Sequence, residues 1–192
     1  MAKKAGADLF SIVRTRLEGI RALLDDMDEH AAEKLVQMIL RADGVFLTGK
    51  GRSGYVAESF AMRLMQMGFN VHVPGEATCP RIGPRGMLIA VSCSGATVTT
   101  VQLARLARKA GAKVVAVTAV RDSVLAGLAD HVVLVPVTER DVKKRYRYVL
   151  GPHNNTLFEE ALLLYLDALV YSMLERRGIP KARLSRRHTN LE

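Results

Sequence analysis

Two turns in this sequence collect hydroxyl side chains where the local pattern aims them at a ligand. The apolar run Met87-Leu88-Ile89-Ala90-Val91 stops at Ser92-Cys93-Ser94-Gly95-Ala96-Thr97, and a helical pattern from Thr99 to Ala110 follows at once. Strand, hydroxyl-rich turn and helix in that order point backbone N–H groups and hydroxyls at one spot beside the positive end of a helix dipole. A phosphate suits that spot without any metal. A second such turn, Gly49-Lys50-Gly51-Arg52-Ser53-Gly54, follows Val45-Phe46-Leu47. One serine or threonine ahead of a helix is explained by capping. Two hydroxyl-bearing turns in one array point to a shared phosphorylated ligand, with Gly51, Arg52, Ser53, Ser92, Cys93, Ser94 and Thr97 around it.

Holding a phosphate is not yet catalysis. Moving a proton at a carbon beside a carbonyl needs a carboxylate or imidazole in reach. Glu159 and Glu160 stand near the start of a long apolar helical stretch. A helix dipole alone favours acids there. Consecutive helical side chains diverge by about 100°, so one can enter a site while the other faces water. His188 lies in a basic tail, Ser185-Arg186-Arg187-His188, and on residues alone reads as an inert tail histidine. Glycines 49, 51 and 54 match the spacing of a dinucleotide loop. That motif also wants an acidic residue about 20 positions on to hold a ribose, and here Glu76 comes late, after Val71-His72-Val73-Pro74-Gly75. Cys79 and Cys93 form no CxxC and have no histidine set nearby, so no structural metal or disulfide framework is expected.

The elements that must position these groups are legible from periodicity. Residues 8–24 read as an amphipathic helix, with Leu9, Ile12, Val13, Leu17, Ile20 and Leu24 on one face. Asp28 reads as the N-cap of a second helix. From Val45 onward, short apolar runs alternate with turns and helical patterns, at 45–47, 71–73, 87–91, 113–118 and 132–135. Such alternation predicts an α/β fold with a parallel sheet covered on both faces, and a ligand beyond the C-terminal strand ends near a switch in strand order. A helix over about 156–177 is apolar nearly all round, which predicts burial on more than one side and subunit association. Residues 136–155 read as a basic linker. The net charge of +9 gathers at 143–147 and 176–187. It suits an anionic ligand, and equally solvated helix ends. Aromatic content of 5% is too low for base-stacking surfaces. No signal-peptide core or bilayer-length apolar run is present, and a cytoplasmic setting is expected.

Gly49-Lys50-Gly51-Arg52-Ser53-Gly54-Tyr55-Val56-Ala57 together with Ser92-Cys93-Ser94-Gly95-Ala96-Thr97 resembles the sugar isomerase (SIS) domain, and within it the 6-phospho-3-hexuloisomerases. Gly75-Glu76, Pro80-Arg81-Ile82, Leu157-Phe158-Glu159 and the ending Arg187-His188-Thr189-Asn190-Leu191-Glu192 extend the likeness over nearly the whole chain. The resemblance implies a three-layer sandwich around a five-stranded parallel sheet. It implies one domain over 1–192, with a helical extension over about 1–43 and a C-terminal helix and tail over about 156–192. It further implies a homotetramer that interconverts D-arabino-hex-3-ulose 6-phosphate and fructose 6-phosphate. Carried over residue by residue, Ser53, Ser92, Ser94 and Thr97 bind phosphate, Glu76 joins the substrate contacts, Glu159 is the base and His188 the C-terminal histidine. No metal or redox cofactor is implied, and no membrane or nucleic acid partner. Two departures stand out. Ala96 occupies a position where the family usually has glutamate, and 152–156 is one residue longer than the usual form. The alternatives are an isomerase of another sugar phosphate and a sugar-phosphate-sensing regulator without catalysis. The acidic run Asp25-Asp26-Met27-Asp28-Glu29 ahead of the first strand is a poor surface for DNA.

Overall fold

The computed structural model describes residues 8–137 and 156–191. Helices α1 (Leu9–Asp25) and α2 (Glu29–Arg41) precede β1 (Gly44–Thr48), α3 (Arg52–Met67), β2 (Val71–His72) and β3 (Gly86–Val91). Then come α4 (Val98–Lys109), β4 (Lys113–Thr118), α5 (Val124–Leu128), β5 (His131–Leu134), α6 (Thr156–Arg176) and α7 (Lys181–Arg186). The expected linker from 138 onward, with the 143–147 basic cluster and residues 152–155 of the lengthened segment, lies outside the described residues.

All five strands pair in parallel, in the order β2-β1-β3-β4-β5. Strands β1 and β3 are buried along their whole length. A strand covered on both faces has no polar side to alternate with, which is why these segments read as continuous apolar runs. Side chains still alternate between layers. Val45, Leu47, Met87, Ile89, Val91, Val115 and Val117 pack toward α1, α2, α3 and α6. Phe46, Leu88, Ala90, Val114 and Ala116 pack toward α4 and α5. The result is the expected three-layer sandwich, with the chain running outward in opposite directions from β1 and β3. The C-terminal ends of those two strands therefore flank a crevice.

The local signals act where the sequence placed them. Asp28 caps α2 by accepting from the His30 N–H at 2.9 Å. Gly68, at φ 100°, ends α3 in the left-handed region that glycine tolerates. Helix α1 departs from expectation. Ile20 and Leu23 are buried and Ile12 is half-buried, but Leu9, Val13 and Leu17 stay exposed, so only part of the expected apolar face meets the rest of the chain. Helix α6 also leaves Leu164 and Tyr171 exposed. Part of the C-terminal positive charge has structural partners: Arg176 pairs with Glu33 at 3.3 Å, and Arg177 lies over the Phe69 ring at 5.1 Å. The tail forms a short helix, α7, whose Arg183 and Arg187 reach the Gly68 turn.

Candidate active site

The crevice between β1 and β3 holds a cavity of about 250 Å³. It is lined by the loop from Lys50 to Ser53, by Val91 to Ser94, and by Thr97 and Glu159. The loop after β1 needs glycine twice. A Cβ on Gly49 would sit 2.8 Å from the Ser53 carbonyl oxygen, and Gly51 has φ 58°. The loop after β3 needs Gly95 at φ 62°, where a Cβ would lie 2.1 Å from Ser123 Oγ. The end of β4 supports the same loop: Thr118 Oγ1 donates to the Cys93 carbonyl at 3.2 Å.

Capping does not account for these hydroxyls. Asp8, Asp28 and Ser123 accept backbone N–H groups at the starts of α1, α2 and α5. Helices α3 and α4, which begin at the cavity, have no side-chain cap. The Thr97 hydroxyl instead hydrogen-bonds to Ser92 Oγ at 2.9 Å. First-turn N–H groups of an uncapped helix lack intrahelical partners. Two helix N-termini thus present open donors to one cavity, beside the hydroxyls of Ser53, Ser92, Ser94 and Thr97, which is the chemistry that holds a phosphate.

The opposite wall is a carboxylate. Glu159 is 5% exposed, near the start of α6. Its Oε2 accepts from Arg52 Nε at 2.7 Å, and its Oε1 accepts from Ser53 Oγ at 3.3 Å. Glu160, the next residue, points elsewhere and pairs with Arg16 of α1. The 100° step around the helix separates the two acids as the sequence allowed. Burial, and then the nearby Glu159 charge, push the Cys93 thiol up to about 11. Cys93 is therefore a neutral wall of the cavity at physiological pH. Arg52, whose side chain is 60% exposed, stands between this cavity and an outer groove of about 260 Å³ that also includes Tyr55, Val56 and Leu163.

Two expected residues lie apart from this cluster within the chain. Glu76 is exposed and does not line the cavity. His188 is exposed, with Nδ1 3.3 Å from the Thr189 carbonyl oxygen. Arg183 of α7 and Arg187 just after it reach the turn at Gly68, the opposite end of α3 from Arg52, about 24 Å away for a helix of that length. Lys50 is the lining residue that sequence reasoning left without a role, although a cation between two loop glycines was a readable signal. Larger cavities of about 500 Å³ lie at the opposite, N-terminal ends of the strands. They bring together none of these hydroxyls and not the buried glutamate.

Residues 38–148 match the family described as SIS domain. The chain is 35% identical to 3-hexulose-6-phosphate isomerase of Mycobacterium gastri, covering 99% of this chain and 94% of that one. It is also 35% identical to the enzyme of that name from Bacillus subtilis, over 84% of this chain and 86% of the relative. Among solved structures, a hypothetical protein of Methanococcus jannaschii superposes with TM-score 0.81 at 28% identity, over 94% of this chain and 98% of that one. Its crystal structure infers a function of 3-hexulose-6-phosphate isomerase for that protein.

Proposed function

The chain belongs to the SIS domain family and is a sugar-phosphate isomerase; within that class we propose that it interconverts D-arabino-hex-3-ulose 6-phosphate and fructose 6-phosphate. The observation that carries this reading is the buried Glu159 facing a cavity walled by two uncapped helix N-termini and their hydroxyls.

In this mechanism the 6-phosphate sits among Ser53, Ser92, Ser94, Thr97 and the first-turn N–H groups of α3 and α4, with Lys50 contributing charge. Glu159 takes the proton from C2 of the 3-ketose. The C2–H electrons form the C2–C3 double bond and the carbonyl electrons move onto O3, giving a 2,3-enediolate. After a proton passes between the two oxygens, Glu159 returns its proton to C3. The negative charge thus moves from carboxylate to enediolate and back. Arg52 is placed to serve both anions: its Nε–H bonds Glu159, and the other N–H groups of its guanidinium fork stay available to the substrate. A donor already in position adds no reorganisation cost when the charge arrives.

His188 assists ring opening or the transfer between oxygens. Its place at the far end of α3 favours service in a neighbouring subunit's site rather than its own. The exposed apolar side chains of α1 and α6 favour an oligomer, and the reading includes a homotetramer in the cytoplasm with the whole chain acting as one domain. Among the described residues no helix is long and apolar enough to cross a membrane. The deciding assay follows fructose 6-phosphate formation from synthesised hexulose 6-phosphate. Turnover supports the reading. Turnover only with a pentose or heptose phosphate would reassign the substrate, and tight binding of all of them without turnover would leave a sensor.

A further inference from the structure

The N-terminal ends of the strands, opposite the candidate active site, carry a second concentration of positive charge. A cavity of about 500 Å³ lies there, beneath the C-terminal end of α2 and against the first residues of β3 and β4. Four cationic side chains line it: Lys34, Arg41, Arg85 and Lys113. Two have carboxylate partners. Arg85 Nη2 lies 2.6 Å from Asp43 Oδ2, and Lys113 Nζ lies 2.9 Å from Asp130 Oδ1. Asp130 also accepts the Val114 backbone N–H at 2.8 Å, which anchors the Lys113 pair to the sheet. Lys34 and Arg41 have no ion pair or hydrogen bond among the described residues.

Arg41 in the last turn of α2 offsets the helix dipole. That explanation does not extend to Lys34, which lies mid-helix. Lys34, Met38 and Arg41 follow i, i+4, i+7 spacing and therefore share one face of α2. Met38, Ala42, Pro84 and Met87 supply apolar surface in the same cavity. The four cations line one concave space, and an anion bound there lowers their mutual repulsion. Asp43 and Asp130 stand among these cations and repel a long polyanion, so the arrangement suits a discrete anion rather than a nucleic acid strand.

We propose that this cavity is a second ligand site, which takes a multiply charged phosphate ester with an apolar body and is separate from the isomerase substrate site. Lys34 and Arg41 supply the free charges, Arg85 and Lys113 bring charges already paired with their aspartates, and the methionine and proline surfaces receive the apolar part. The two sites lie at opposite ends of strands of about 20 Å, so one ligand cannot span them by direct contact.

The test is calorimetric titration of the intact protein with ADP, which joins a diphosphate to a flat ring, in the presence of excess fructose 6-phosphate. One equivalent of ADP per chain is expected, with pyrophosphate binding more weakly because it lacks the apolar body. Lys34→Gln/Arg41→Gln should weaken ADP binding roughly 100-fold, about a factor of ten for each of the two open charge-assisted contacts. It should leave kcat and KM of the isomerisation unchanged, since both side chains are exposed and remote from Glu159. Absence of saturable binding at millimolar ADP overturns the proposal. So does binding that the double variant leaves intact, or that Ser92→Ala abolishes. Failure of the isomerase reading would show instead as absent turnover with the ADP site and its response to the double variant intact.

Discussion

Replacing Glu159 with glutamine separates the chemistry from the fold. Glutamine keeps the shape of the side chain and one oxygen, so either Ser53 or Arg52 retains its acceptor. The other loses one. Arg52 can absorb that loss because its side chain is 60% exposed and water replaces the carboxylate. A pair with one end so open is worth about 1 kcal/mol or less. In a chain of this size that is a fall in Tm of roughly 2–4 °C. Turnover responds on another scale. Glutamine cannot take a proton from carbon, and loss of a positioned base costs on the order of 10² to 10⁴ in rate, which is about 2.7–5.5 kcal/mol in the barrier. Two measurements check this together. Steady-state turnover should fall by that factor with little change in KM, and incorporation of solvent deuterium at C3 of fructose 6-phosphate, followed by NMR in D2O, should stop. Turnover within tenfold of the parent with deuterium exchange intact would refute the assignment and move the role to Glu160 or Glu76.

Ser92→Ala removes a cavity hydroxyl and the partner of Thr97, and should raise KM roughly 10- to 100-fold with a smaller effect on kcat; unchanged KM would place the phosphate elsewhere. Cys93, with its pKa pushed up to about 11, keeps roughly one thiolate in a thousand at pH 8, against roughly one in ten at the ordinary 9.0. Iodoacetamide should therefore label it about 100-fold more slowly than a free thiol, and fructose 6-phosphate should slow it further; labelling at the free-thiol rate contradicts the geometry. Gly95→Ala combines a left-handed φ with a Cβ 2.1 Å from Ser123 Oγ, and should cost at least about 2 kcal/mol, or 4–8 °C in a thermal melt. Removing residues from Ser185 onward should leave the fold and abolish most activity. Mixing His188→Ala with Glu159→Gln subunits should then restore part of it; a mixture that stays inactive despite proven subunit exchange rules out a site shared between chains.

What the sequence determined by itself is local and periodic. The apolar runs at 87–91 and 114–117 read as buried strands, because they offer no polar face to water. Gly68 and Asp28 mark helix boundaries because backbone conformation and capping depend on residues within one turn. The two hydroxyl-rich loops could be placed at strand ends for the same reason. Three things were decided by tertiary structure. Strand order put β1 beside β3, and pairing between segments about 40 residues apart leaves no periodic trace in either. That order turned two separate loops into one cavity, and only there does it emerge that Ser53 and Thr97 do not cap their helices. Packing separated Glu159 from Glu160: α3 engages Glu159 through Arg52 and Ser53, and α1 engages Glu160 through Arg16. The tail likewise read only as a basic end, yet α7 docks on the turn at Gly68, a surface made by residues more than 100 positions away.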